Sequence, residues 1–185
     1  MTEKAWPDHL VSLGVWDAMP EDKNLEVVDG VLHVVAAAVP AHQKARSRLT
    51  YWLDEQLPDD FDVYAYVDVV IDNSNRPTVR KPDVVVVTTE AADRDPKRFD
   101  AEDVVLAVEI VSPGSERDDR VTKPMQYAEA GIAHYWLVEL GDPISLTAFE
   151  LVDGIYKLVE DGVGEVRLTR PAPLVFDLDA LTRRR

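Results

Sequence analysis

Two acidic residues stand inside apolar runs of this chain, and a lysine follows them. Asp83 opens the run Val84-Val85-Val86-Val87 after Lys81-Pro82, and Glu109 sits within Val104-Val105-Leu106-Ala107-Val108-Glu109-Ile110-Val111. Both runs are rich enough in Val and Ile to be strands buried on both faces. A carboxylate there is costly unless it is paired or binds a cation. Lys123 lies in the helical stretch after the second run. Two carboxylates and one ammonium group are a minimal set for holding a divalent metal ion and activating water against a phosphodiester. Plainer readings stand beside this one. Asp83 after proline also suits a strand entry bonded to a turn, and Glu109 also suits a salt bridge to Arg80 or Arg120. Asp119 and Lys123, four residues apart, also suit an ordinary helical ion pair of about 0.3–0.5 kcal/mol.

The elements that must position these groups follow from pattern. Residues 1–24 read as a leader with a short helix over about 10–19, stopped by Pro20. Residues 25–35 read as a hairpin, because Asp29-Gly30 between alternating apolar residues is a type I′ turn signal. Residues 41–57 read as a helix ended by Pro58, with His42, Ala45, Leu49, Trp52, Leu53 and Gln56 on its inward stripe. A strand over 63–71, a polar turn over 72–77 and the two acid-bearing strands come next. Ser112-Pro113-Gly114-Ser115 breaks the second of these, and a helix over about 118–130 ends at Gly131. Pro124 inside that helix predicts a kink or a late start. A strand over 134–140 and a strand-rich tail with turns at Asp153-Gly154 and Asp161-Gly162 complete the chain. The order predicts an α/β fold with a mixed central sheet flanked by helices, plus the N-terminal hairpin and C-terminal antiparallel strands. One domain over 1–185 is expected, with its core at about 25–140 and a strand extension over 141–185.

Composition narrows the chemistry. With 185 residues and 46% hydrophobic content the chain can bury a proper core. The absence of cysteine excludes a disulfide framework and thiolate metal ligation. No apolar run approaches the ~20 residues that span a bilayer, and the first residues lack the apolar core of a signal peptide. No membrane association and a cytoplasmic location are the expectation. The net charge of −15 repels nucleic acid at long range. Basic residues nevertheless cluster at Lys44/Arg46/Arg48, Arg76/Arg80/Lys81, Arg117/Arg120/Lys123 and Arg183-Arg184-Arg185, the last reading as a solvated tail.

The core order of helix, three strands, helix and strand resembles the PD-(D/E)XK nuclease fold. Pro82-Asp83 matches the first half of that motif and Glu109-Ile110-Val111 the second, with Val111 where the lysine usually stands. More narrowly, the chain resembles a bacterial restriction endonuclease family formerly described as a domain of unknown function. The resemblance rests on Glu26-Val27-Val28-Asp29-Gly30, His42, Pro82-Asp83, Glu109-Ile110-Val111-Ser112-Pro113, Asp119-Arg120-Val121-Thr122-Lys123, Tyr127-Ala128-Glu129-Ala130-Gly131-Ile132 and Tyr135-Trp136-Leu137-Val138-Glu139. It implies metal-dependent cleavage of DNA. Asp83, Glu109 and the Ile110 carbonyl would ligate Mg²⁺ or Mn²⁺, and Lys123, carried on the helix rather than the strand, would be the catalytic lysine. The resemblance also brings Glu26 toward the pocket as an accessory ligand and His42 as a substrate or water contact. Tyr127 shares the helix face of Lys123, and Asp119 is its orienting partner or a helix cap. A homodimer is implied as well.

The first expectation is therefore a metal-dependent DNA endonuclease in which Asp83, Glu109 and Lys123 converge in a cleft, rimmed by Arg76, Arg80, Arg117 and Arg120. The second is a catalytically silent relative of the same fold, acting as a dimeric interaction or regulatory module, which the charge and Val111 favour. The third is a hydrolase of another phosphoester.

Overall fold

Asp29 and Gly30 both take positive φ, 50° and 77°, as a type I′ turn requires, and they join β1 (Leu25–Val28) to β2 (Val31–Val34). This hairpin is the entry to a computed structural model that describes residues 9–20, 24–35 and 38–183. Before it, α1 (Leu13–Asp17) is a single capped turn, shorter than the 10–19 stretch suggested, with the Ser12 hydroxyl accepting from the Val15 amide. After it, α2 (Pro40–Gln56) starts with proline in its first turn and buries His42, Ala45, Leu49 and Leu53. Gln56, expected on that stripe, is exposed and accepts a bond from the Val175 amide at 2.8 Å.

The run 63–71 is not one strand. It divides into β3 (Phe61–Ala65) and β4 (Val69–Asp72), which belong to different sheets. The break falls at Tyr66, whose φ of 58° no strand continues through. The next elements are β5 (Thr78–Arg80), β6 (Val84–Thr88), α3 (Thr89–Ala92) and β7 (Phe99–Asp100). Then come β8 (Val104–Val111), α4 (Lys123–Glu129) and β9 (His134–Glu139). The tail supplies β10 (Ser145–Val152), β11 (Ile155–Val163), β12 (Glu165–Leu168) and β13 (Leu174–Asp177). Asp153-Gly154 forms its expected turn, whereas Asp161-Gly162 lies inside β11 and the reversal falls at Gly164, φ 67°.

A six-stranded sheet in the order β11-β10-β9-β8-β6-β3 forms the centre. It is mixed: β8 and β9 run parallel, as the helical crossover between them requires, and the other neighbours are antiparallel. A five-stranded sheet, β2-β1-β5-β4-β7, packs beside it, and β12 and β13 form a two-stranded sheet. Alternation along β6 and β8 divides the core. Val84, Val86, Leu106, Val108 and Ile110 meet Ala45, Leu49 and Leu53 of α2, together with Phe176, Leu178 and Leu181 from the tail. Val85, Val87 and Ala107 meet Tyr127 and Ile132 on the opposite face. The tail is thus part of the core. Arg183 is also tied down, its carbonyl accepting from Lys44 and from Arg48, while Arg184 and Arg185 lie outside the described residues.

Candidate active site

Strand β8 and the bend before β6 decide where the two acids point. Glu109 alternates with Val108 onto the face of Ala107, where it meets Lys123 and Tyr127 of α4. Asp83 lies in the bend just before Val84, and its carboxylate meets His42 and Arg46 of α2. The Asp83 carboxylate also closes the ladder: its Oδ2 accepts the Ile110 amide at 2.9 Å. Both acids are buried, as their surroundings in sequence predicted.

Between β8 and α4 the chain makes a tight loop and then a wide turn. Gly114, φ 98°, lets the loop reverse, and Ser115 bonds back to Ser112 and forward to the Asp119 carboxylate. Residues Asp118–Thr122 form a π-helical turn before α4 begins at Lys123. Helical backbone runs on from Glu116 through this turn into α4, so the irregularity expected at Pro124 takes the form of a widened turn just before it rather than a late start. Lys123 Nζ lies 2.8 Å from Glu109 Oε2 and 2.8 Å from Asp119 Oδ1. Tyr127 donates to Glu109 Oε1 at 2.7 Å. Glu109 therefore pairs with Lys123. Arg80 and Arg120 are engaged elsewhere, with Glu26 and Asp118 and with Glu139 respectively.

His42 enters from the first turn of α2. Its Nε2 is 2.9 Å from the Ile110 carbonyl oxygen and 3.1 Å from Asp83 Oδ2, and its buried Nδ1 has no hydrogen-bond partner among the described residues. Arg46, one turn further on, approaches Asp83 Oδ1 at 3.5 Å. Glu26 is brought to the same place by β1, but both its oxygens are engaged: Oε1 accepts the Lys81 amide at 2.9 Å and Oε2 pairs with Arg80 at 2.8 Å. Asp83, Glu109, Ile110, Lys123, Asp119, His42 and Glu26 all line one cavity of about 710 Å³. Of the accessory residues, Tyr127 alone lies behind this wall, holding Glu109 from the core side.

The electrostatics follow from burial. Desolvation pushes the Glu109 carboxyl up to about 8; Lys123 pulls against this, while Asp119 and Asp83 reinforce it. Burial also opposes the Lys123 charge, but Glu109, Glu26 and Asp119 outweigh it and hold the ammonium well above its ordinary range. Lys123 is thus a fixed positive charge and not a proton acceptor at neutral pH. Burial lowers His42, and Asp83 more than compensates, so its proton affinity is raised. Burial, then the Glu109 charge, keeps the Tyr127 hydroxyl protonated.

Two carboxylates and the adjacent backbone carbonyl offer oxygen donors only, which suits Mg²⁺ or Mn²⁺; such ions need few protein ligands when substrate phosphates complete the shell. The donor set fits. Among the described residues no group of three or more His, Asp and Glu forms a ready ligand cluster, and Lys123, His42 and Arg46 already contact the two acids. The basic rim is not assembled as expected. Arg80 is buried between Glu26 and Asp118, and Arg76, Arg117 and Arg120 do not line the cavity. Arg46 and Tyr66, which do line it, carried no assignment from the sequence. Arg46 could have been found, since it stands four residues after His42 and shares its helix face. Tyr66 could not, because nothing in an apolar run marks a positive φ.

A mixed sheet flanked by helices, with paired acids at the edge of its central antiparallel strands, defines a nuclease-like α/β protein. Residues 10–181 match the Uma2 family, described as "Putative restriction endonuclease", and the chain belongs to that family. Among solved structures it is similar to a crystal structure of a putative nuclease belonging to DUF820 from Anabaena variabilis ATCC 29413, with a TM-score of 0.69 and 14% identity over 93% of this chain and 97% of that one. At that identity the likeness concerns the fold. No curated protein matches the chain. Among the described residues no helix is long and apolar enough to cross a membrane.

Proposed function

We propose that this protein is a metal-dependent phosphodiester hydrolase, a DNA endonuclease of the PD-(D/E)XK type. One observation carries the reading: β6, β8 and α4 deliver Asp83, Glu109 and Lys123 to one cavity wall, with Lys123 in direct contact with Glu109. Asp83, Glu109 and the Ile110 carbonyl would hold Mg²⁺ or Mn²⁺. The ion, when bound, supplies Lewis-acid polarisation of the phosphate and a lower pKa for coordinated water. Lys123 stays charged and stabilises the negative charge that develops at the phosphate. Asp119 and Tyr127 fix the positions of Lys123 and Glu109, and His42 holds the Ile110 carbonyl and Asp83 in place. Glu26 organises the Arg80–Lys81 segment rather than ligating the ion. A homodimeric, cytoplasmic enzyme remains part of this reading.

The test is nicking of supercoiled plasmid with Mg²⁺ or Mn²⁺ by the wild type, Asp83→Ala and Lys123→Ala, beside a Mn²⁺ titration. Cleavage abolished by both substitutions, with metal binding lost in Asp83→Ala, supports the reading. Metal binding that survives Asp83→Ala counts against the site. A second reading, a catalytically silent interaction module of the same fold, is favoured by one observation: both Glu109 oxygens and Asp83 already have protein partners. Metal binding without nicking of any nucleic acid would select it.

A further inference from the structure

A protein of net charge −15 needs a local cation to draw a polynucleotide phosphate to two buried acids. Arg46, Arg80, Lys81 and Lys123 line the cavity. Arg80 is locked between Glu26 and Asp118 at 2.8 and 2.9 Å, Lys81 pairs with Asp68 at 3.1 Å, and Lys123 bridges Glu109 and Asp119 at 2.8 Å each. Their side chains are 3, 8 and 9% exposed, against 20% for Arg46. Arg46 is also the most loosely held, its carboxylate partner Asp83 standing at 3.5 Å. Its guanidinium lies 4.9 Å from the centre of the Tyr66 ring, and the Lys81 ammonium lies 5.1 Å from the same ring. An aromatic face holds a guanidinium without neutralising it. The ring is placed there by a backbone that a bulky residue seldom adopts, φ 58°, anchored by the Tyr66 amide bonded to the Asp83 carbonyl at 3.2 Å.

We infer that Arg46, presented by Tyr66, is the residue that grips a backbone phosphate of the polynucleotide beside Asp83. This rests on the nuclease reading above and names its substrate contact. A divalent cation on Asp83 would cancel the charge that now attracts Arg46. The guanidinium would then be free for a phosphate, whose oxygens match its planar fork. Tyr66 keeps it at the cavity wall in both circumstances.

The experiment uses a fluorescein-labelled 30-base-pair duplex in Ca²⁺, which the same oxygen ligands accept, with affinity measured across a salt series. Alongside it run plasmid nicking in Mg²⁺, a Mn²⁺ titration and a thermal melt of each variant. Arg46→Ala should weaken duplex binding about tenfold or more, irrespective of sequence. The slope of log affinity against log salt should fall by about one. Mn²⁺ affinity should hold or rise, because a cation competing for Asp83 is gone. Arg46→Lys should keep the slope but bind more weakly. Tyr66→Leu, which leaves Arg46 and Asp83 intact, should also bind several-fold more weakly and serves if Arg46→Ala unfolds. Unchanged duplex affinity and slope in Arg46→Ala and Tyr66→Leu, in a protein that still nicks, would overturn the inference and leave the nuclease reading intact. A wild type that binds Mn²⁺ but neither binds nor nicks DNA would overturn both.

Discussion

Replacing Lys123 with methionine tests the centre of the site through stability rather than activity. The ammonium is buried and lies 2.8 Å from each of two buried carboxylates, Glu109 and Asp119. Methionine fills the same volume without charge and leaves both acids short of a cation. Removing one partner of a buried ion pair costs about 3–5 kcal/mol, a large share of the ~5–15 kcal/mol that holds a domain together. The cost must depend on pH. An acid whose folded pKa rises contributes stability below its unfolded pKa and loses it as pH climbs toward the folded value. Lys123 pulls the Glu109 carboxyl down, so without it Glu109 moves further in that direction. Between pH 8 and pH 5.5 protonation of Glu109 recovers up to about 3 kcal/mol.

Urea denaturation at those two pH values is the assay, with wild type, Lys123→Met, Glu109→Gln and the double variant. Lys123→Met should cost about 3–5 kcal/mol at pH 8 and distinctly less at pH 5.5. The double variant should recover part of the loss, giving a coupling energy of at least about 1.5 kcal/mol. A cost under about 1 kcal/mol at pH 8, the same at both pH values, would refute the buried triad. Lys123 would then be an ordinary surface partner.

Glu109→Gln carries its own pH signature. Because burial raises Glu109 to about 8, the wild type loses stability as pH rises from its unfolded value toward 8, and the glutamine variant does not. The stability difference should therefore move in the variant's favour between pH 5 and pH 8, read by urea denaturation. Tyr127→Phe removes the hydroxyl bond to Glu109 at 2.7 Å and keeps the ring, so it should cost about 1.5–3 kcal/mol at pH 8 in the same assay. Asp83→Ala should weaken Mn²⁺ binding at least tenfold by calorimetric titration, since it removes one of the two carboxylates proposed as ligands. Gly131→Ala should cost about 1–2 kcal/mol in thermal denaturation: the open space at that Cβ is harmless, but φ is +85°.

What the sequence disclosed depends on whether one side chain or a joint geometry had to be read. Glu109 was legible because an acid inside Val and Ile has few inexpensive explanations. The Asp29-Gly30 hairpin and the Gly131 stop were legible because φ preference is local. The division of 63–71 was not, since Val63-Tyr64-Ala65-Tyr66-Val67 carries no Gly, Pro or Asn to mark a break, and its two halves pair in different sheets. Asp161-Gly162 misled for the opposite reason. Strand pairing with β10 overrode a local turn preference. Partner choice was also hidden. Arg80 was expected at a rim and is buried, because Glu26, 54 residues earlier, and Asp118, 38 residues later, converge on it.

The site is self-neutralising in a way that bears on how it would take up metal. Glu109 is held by Lys123 and Tyr127, and Asp83 by His42, Arg46 and the Ile110 amide. Each acid thus has a charge-balancing partner before any ion arrives, which is why two carboxylates can be buried here at all. The same partners compete with a divalent cation, and they do so unequally. Lys123 sits at 2.8 Å from Glu109 in a buried network, whereas Arg46 stands off Asp83 at 3.5 Å near the opening. On the proposed reading Asp83 would therefore be the acid an incoming ion could win first, from a loosely held guanidinium. Glu109 would follow only with its lysine still beside it. Lys123 would then keep its place beside Glu109 while Arg46 would be released for a phosphate, so that the two cations around one pair of acids would serve different ends.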